Sequence, residues 1–241
     1  MASKPDHNEI IERYRRESRD KPQLDHTKPA ERFKLGKDRQ GRDTAVPIQE
    51  QYSFYQAQWD RLCRDFEYTT VLLDERKLDE CQKKIRDKLA LGRSNAILYG
   101  HSGSGKTTVA LWALHDLVAA GRKCKAARML QFKTEMEPRY CDEHGVSADT
   151  VAQAYREPEY LLLDEVGYGE ERQSVTEHER RIFFDLISVR DGTGKKTWIC
   201  SNTGRAQLHA LYGEAAFSRL DATGQCVVGD FSERPNYRYK K

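Results

Sequence analysis

Eight consecutive residues restrict this chain more than any other stretch: Gly100-His101-Ser102-Gly103-Ser104-Gly105-Lys106-Thr107. They fit the pattern G-x-x-x-x-G-K-[S/T] without a departure. An apolar run, Asn95–Tyr99, precedes them, and a helix-compatible run, Thr108–Leu114, follows. That strand–loop–helix context is the one in which the pattern binds phosphate. Glycines let successive backbone N–H groups turn toward an anion, and the helix start adds partial positive charge. Lys106 is expected to reach the β- and γ-phosphates and the Thr107 hydroxyl to ligate Mg²⁺, so the loop Gly100–Thr107, with Thr108 behind it, predicts a site for ATP.

A triphosphate site also needs a carboxylate near the metal and a base near the attacking water. The run Glu159-Tyr160-Leu161-Leu162-Leu163-Asp164-Glu165 offers both, because an apolar strand there ends in two acids. Ligand groups of open α/β sheets collect at the carboxyl ends of strands. Asp164 is therefore expected to hold the metal and Glu165 to polarise water. A third apolar run, Lys196–Ser201, ends at Asn202, which is either a γ-phosphate contact or an ordinary turn residue.

Short apolar runs at 96–99, 124–130, 160–163, 197–200 and 226–228 alternate with helical patterns at 107–119, 148–156, 177–189 and 207–218. That alternation predicts an α/β fold, a central parallel sheet flanked by helices. A helix from Asp74 to about Gly92 comes first, its expected apolar side being Leu78, Cys81, Ile85 and Leu89.

Residues 1–73 read differently. A charged helix over Asn8–Arg19 is followed by Pro22, Pro29, Gly36, Gly41 and Pro47, with too few apolar residues for a core. Then Tyr52, Phe54, Tyr55, Trp59 and Phe66 cluster. Trp59, Leu62, Cys63 and Phe66 recur at helical spacing, as a core-packing stripe or as a docking face for a partner. The division expected is a small, mostly helical, partly flexible N-terminal region (1–73) and an ATPase domain (74–241).

Composition closes other routes. The chain has 241 residues, 38% hydrophobic and 33% charged, and a net charge of +3, too near balance to announce a nucleic-acid partner by itself. No apolar stretch approaches a membrane span and the first residues have no signal-peptide core, so a cytoplasmic location is expected. Six cysteines lack zinc-ligand spacing and read as free thiols. The base-recognition segment of G proteins and the signature of transporter ATPases are missing, and the acid pair with Asn202 disfavours small nucleotide kinases.

The phosphate loop, Leu161–Gly167, Thr197–Asn202 followed by Leu208-x-x-Leu211-x-Gly213-Glu214, Ser218-Arg219-Leu220, and Asn236-Tyr237-Arg238 together resemble AAA+ ATPases. More narrowly they resemble the DnaC/IstB family of replicative-helicase loaders and insertion-sequence transposition helpers. Thr108 departs from the His frequent there. The resemblance implies a lid-less AAA+ core, the stretch after Arg219 being too short for a helical lid. It also implies self-association through the ATP site, with Arg219 reaching a neighbour's γ-phosphate; a surface salt bridge is its plainer role. Arg190 is a weaker candidate for contact with nucleotide or a neighbour. Partners implied are a hexameric replicative helicase gripped by the N-terminal region and single-stranded DNA. The basic residues Lys195, Lys196, Arg205, Arg234, Arg238, Lys240 and Lys241 with Tyr237 and Tyr239 are candidate DNA contacts. The expected function is helicase loading in a bacterial cell or phage-infected host, with transposition help as the alternative.

Overall fold

The computed structural model describes residues 33–37, 43–47, 57–63, 78–167, 175–221 and 224–237. The chain divides into two compact units, residues 1–61 and 62–241. In the first, β1 (Phe33–Lys37) and β2 (Asp43–Pro47) pair antiparallel, Phe33 opposite Pro47 and Lys37 opposite Asp43. The sequence alone predicts no strand in this region, and this hairpin is an addition to that reading. The ladder is held by main-chain bonds and needs few apolar side chains. Pro47, which reads as a breaker, stands at its end, where a missing N–H is tolerated. The expected helix around Trp59 is present over 57–63, with Leu62 buried. Asn8–Arg19, Tyr52, Phe54, Tyr55 and Phe66 lie outside the described residues.

The larger unit is built on five parallel strands: β3 (Ala96–Tyr99), β4 (Cys124–Arg128), β5 (Tyr160–Asp164), β6 (Lys196–Ser201) and β7 (Val227–Asp230). Their order is β4-β5-β6-β3-β7, every neighbouring pair parallel. A parallel sheet covered on both faces needs uninterrupted apolar strands. β5 meets this with all five residues buried, and Trp198, Ile199 and Cys200 do so in β6. The helices are α1 (Glu80–Ala90), α2 (Lys106–Ala119), α3 (Met129–Glu135), α4 (Pro138–His144), α5 (Ala148–Arg156), α6 (Glu177–Gly192), α7 (Arg205–Tyr212) and α8 (Glu214–Leu220). One helix was expected over 207–218, but Gly213, at φ +89°, separates α7 from α8.

The chain goes from β3 to β4 at the far edge, then returns through β5 and β6 to β3's own side. The loop after β3 therefore emerges beside the ends of β6 and β7, the crevice such sheets use for ligands. On the β5–β6 side a core of Leu161, Leu163, Ile182, Phe183, Ile199, Leu208 and Phe217 locks α6, α7 and α8 onto the sheet. The buried side of α1 differs from the expected stripe: Leu78 precedes it, Gln82, Arg86 and Leu89 lie on it, and Cys81 is exposed.

Arg190, at the end of α6, is fully buried and is not a nucleotide contact. Its guanidinium donates to Thr197 Oγ1 (2.8 Å) and to the carbonyls of Tyr155 (2.9 Å), Pro158 (2.8 Å) and Lys196 (2.6 Å), with longer bonds to Arg156 and Glu159. Burial lowers its pKa to about 9, still above neutral pH, so it works as a charged staple joining α5, β5 and β6.

Candidate nucleotide site

The phosphate loop leaves β3 and enters α2 through Gly105, whose φ of +92° suits glycine. Lys106 is 4% exposed, and its Nζ donates to the carbonyls of Gly100 (2.7 Å) and His101 (2.8 Å), to Ser104 Oγ (3.3 Å) and to Asn202 Oδ1 (3.0 Å). The last bond ties the loop after β3 to the tip of β6 and brings Asn202 against the Lys106 ammonium. The remaining loop carbonyls are also engaged. Ser102 O meets His101 Nδ1 at 2.9 Å, Gly103 O accepts the Tyr237 N–H at 2.9 Å, and Gly105 O accepts that of Val109 at 3.0 Å. The Gly100 and His101 carbonyls thus face the Lys106 ammonium, whereas that of Gly103 is held by the segment at Tyr237.

Thr107 Oγ1 donates to Asp164 Oδ2 at 2.9 Å. With its proton committed to the carboxylate, the hydroxyl oxygen keeps lone pairs for a metal, and two oxygen donors suit a hard divalent cation that completes its shell with phosphate and water. Among the described residues no three His, Cys, Asp or Glu side chains converge as a metal cluster. Asp164 is buried; burial raises its pKa above the ordinary carboxylate value, against the Thr107 hydroxyl and the Glu165 N–H, which donates to Asp164 Oδ1 at 2.9 Å. Glu165 is half-buried at φ +58°, the left-handed region, and is the one non-glycine there among the described residues.

Residues beyond the sequence reading fix this turn. Ser201 Oγ donates to Val166 O at 2.5 Å and Thr203 Oγ1 to Gly167 O at 2.9 Å. The Gly167 N–H reaches the Tyr212 hydroxyl at 3.3 Å, which donates to Glu179 at 2.7 Å; Glu179 also pairs with Lys133 at 3.2 Å. The only prior signal was the position of Ser201 and Thr203 on either side of Asn202. The other predicted residues scatter. Arg219, on α8, lays its guanidinium over the Phe184 ring at 4.6 Å and donates to Ala215 O. Lys196 opens β6 whereas Arg205 follows its end, so the two lie toward opposite ends of that strand, and Lys195 Nζ bonds Arg156 O at 2.8 Å. Arg234 and the Tyr237 hydroxyl both engage Asp79. Arg238, Tyr239, Lys240 and Lys241 lie outside the described residues.

No curated protein sequence matches the chain. Among solved structures, the fold is similar to that of AMPPCP-bound DnaA from Aquifex aeolicus (TM-score 0.53, 19% identity over 68% of this chain and 50% of that one). It is also similar to the DnaC helicase loader (0.52, 18% identity, 70% and 98%) and to DnaI (0.51, 15% identity, 74% and 93%). This chain thus spans about half the length of the DnaA chain it matches. Residues 60–222, more than half of the chain, match the model of the IstB-like ATP binding proteins. A lysine-bearing phosphate loop, a hydroxyl–carboxylate pair and a strand-tip asparagine meet inside that matched stretch, and the match shows the affiliation: the chain belongs to the family of IstB-like ATP binding proteins.

Proposed function

We propose that this ATPase is Mg²⁺-dependent and loads a ring-shaped replicative DNA helicase onto single-stranded DNA, gripping the helicase through its residues before Asp74. Thr107 and Asp164 would hold a magnesium ion, whose charge would offset that of the triphosphate. Lys106 neutralises the triphosphate, and Asn202, already beside that ammonium, aligns the γ-phosphate. Glu165 takes the proton of the attacking water. Arg219 of one copy serves the site of the next.

The observation that supports the reading is the meeting of Lys106 with Asn202 and of Thr107 with Asp164 within one compact unit, residues 1–61 forming a second unit. The test is co-purification of the full chain with the host replicative helicase in the presence of ATP and Mg²⁺, beside a chain that starts at Asp74. Capture by the full chain alone is expected; equal capture by both overturns the N-terminal assignment, and capture by neither overturns the loader. The family match itself favours a second reading, a transposition helper that binds duplex DNA and recruits a transposase. Preference for duplex over single strands, with no helicase captured, would select it.

A further inference from the structure

Two pieces of chain distant in sequence lie along the outer side of the phosphate loop. One is the first turn of α1 with its N-cap. The other is the segment 231–237, which leaves β7 at Phe231, whose N–H donates to Tyr99 O at 2.7 Å. Gln82 Nε2 donates to Ser104 O at 3.4 Å, the Tyr237 N–H donates to Gly103 O at 2.9 Å, and His101 Nε2 meets Arg234 O. The side chains of Asn236 and Gln82 lie close against the loop glycines. A Cβ at Gly103 would stand 2.1 Å from Asn236 Oδ1, and one at Gly105 would stand 2.6 Å from Gln82 Nε2.

Asp79 joins the two pieces. Its Oδ1 accepts the N–H groups of Cys81 and Gln82, both at 2.9 Å, and Gln82 returns a bond to the Asp79 N–H at 3.0 Å, closing a capping box. Its other oxygen accepts from Arg234 Nη1 and from the Tyr237 hydroxyl at 3.3 Å. One carboxylate therefore seats Gln82 under the loop and secures the segment that crosses it.

We propose that Asp79, with Arg234 and Tyr237, is a positioning residue for nucleotide binding: the clamp they close keeps the Gly103 and Ser104 carbonyls turned outward and so keeps the loop shaped for phosphate. A trans peptide is planar with its C=O and N–H antiparallel, so pinning those two carbonyls directs the Gly105 N–H to the opposite side and the Ser104 N–H toward His101 O, which it meets at 3.4 Å. A loop ordered before the ligand arrives does not have to be ordered by it, and affinity rises accordingly. The inference rests on Gly100–Thr107 being the ATP site, and adds what sets its affinity.

The test uses the full-length protein, fluorescent ADP and ATP titrations, and steady-state hydrolysis. Asp79→Asn keeps an oxygen to cap α1 and loses the charge facing Arg234; Arg234→Gln removes the pairing from the other side. Each is expected to weaken nucleotide binding about tenfold, with the loss falling on KM and the smaller share on kcat. The double variant should bind no worse than either single one, and Arg234→Lys should recover part of the loss. Unchanged affinity in both single variants, or losses that multiply in the double, overturns the clamp. Melting temperatures separate misfolding from misplacement, and Tyr237→Phe, which removes one hydroxyl, repeats the test if Asp79→Asn does not fold. Lys106→Ala tests the site itself. If wild type binds ATP and Lys106→Ala does not, the site stands whatever the clamp variants do.

Discussion

At the scale of single residues, Glu165 combines the function expected of it with an unfavourable backbone. A non-glycine at φ +58° costs on the order of 1 kcal/mol, and such costs concentrate at functional sites. The position turns the chain sharply after β5 while its N–H closes onto Asp164. Glu165→Gly should therefore melt no lower than Glu165→Gln, while both lose hydrolysis and retain nucleotide binding. A clear loss of stability in the glycine variant would show that the carboxylate itself supports the fold. The acids and Asn202 were legible in sequence because each ends or follows a recognisable apolar strand, and the loop lysine because it completes a glycine-rich motif that opens a helix. Asp79 and Gln82 were not: on α1 they look like solvated polar residues, and their partners lie about 150 and 22 positions away. Neither spacing leaves a local pattern to read.

At the scale of elements, the strands announced themselves by continuous apolar runs, and four of the helices by their spacing. The hairpin β1–β2 did not, because a two-strand ladder rests on main-chain bonds that leave only a faint compositional trace. Arg190 was misjudged for a related reason. An arginine at the end of an amphipathic helix reads as a surface charge, whereas here the ends of α5, β5 and β6 supply carbonyls for its fork. Arg190→Ala leaves those carbonyls buried without a donor and should lower stability by about 3 kcal/mol or more, measured by denaturant unfolding. Nucleotide affinity in the folded fraction should hold. A loss of affinity without a loss of stability would restore Arg190 to the site. Lysine is not an adequate replacement, since one ammonium cannot reproduce the planar fork.

For the whole molecule, occupancy of the site should be visible as global stability. A ligand that binds only the folded state adds about 2.7 kcal/mol at a hundred times its Kd, so ATP with Mg²⁺ should raise the melting temperature and Lys106→Ala should abolish the rise. Assembly gives a second readout. Arg219 packs on Phe184, on α6 of its own copy, so the role proposed for it in a neighbour's site would be a property of an oligomer. Arg219→Ala should bind ATP normally and lose turnover by about 10³-fold, the scale of a missing arginine finger. Mixed with a Glu165→Gln chain it should regain part of that activity, because one kind of interface then carries both an intact arginine and an intact glutamate. No recovery on mixing would confine the arginine to its own subunit.

The Lys106 ammonium is already solvated by protein, through two carbonyls, a hydroxyl and a carboxamide. A triphosphate arriving there does not meet a bare cation; it swaps one inner coordination sphere for another, and only the difference between the two appears as binding energy. Lys106→Ala thus deletes both an attraction and a tether, and its deficit will overstate what the positive charge alone contributes.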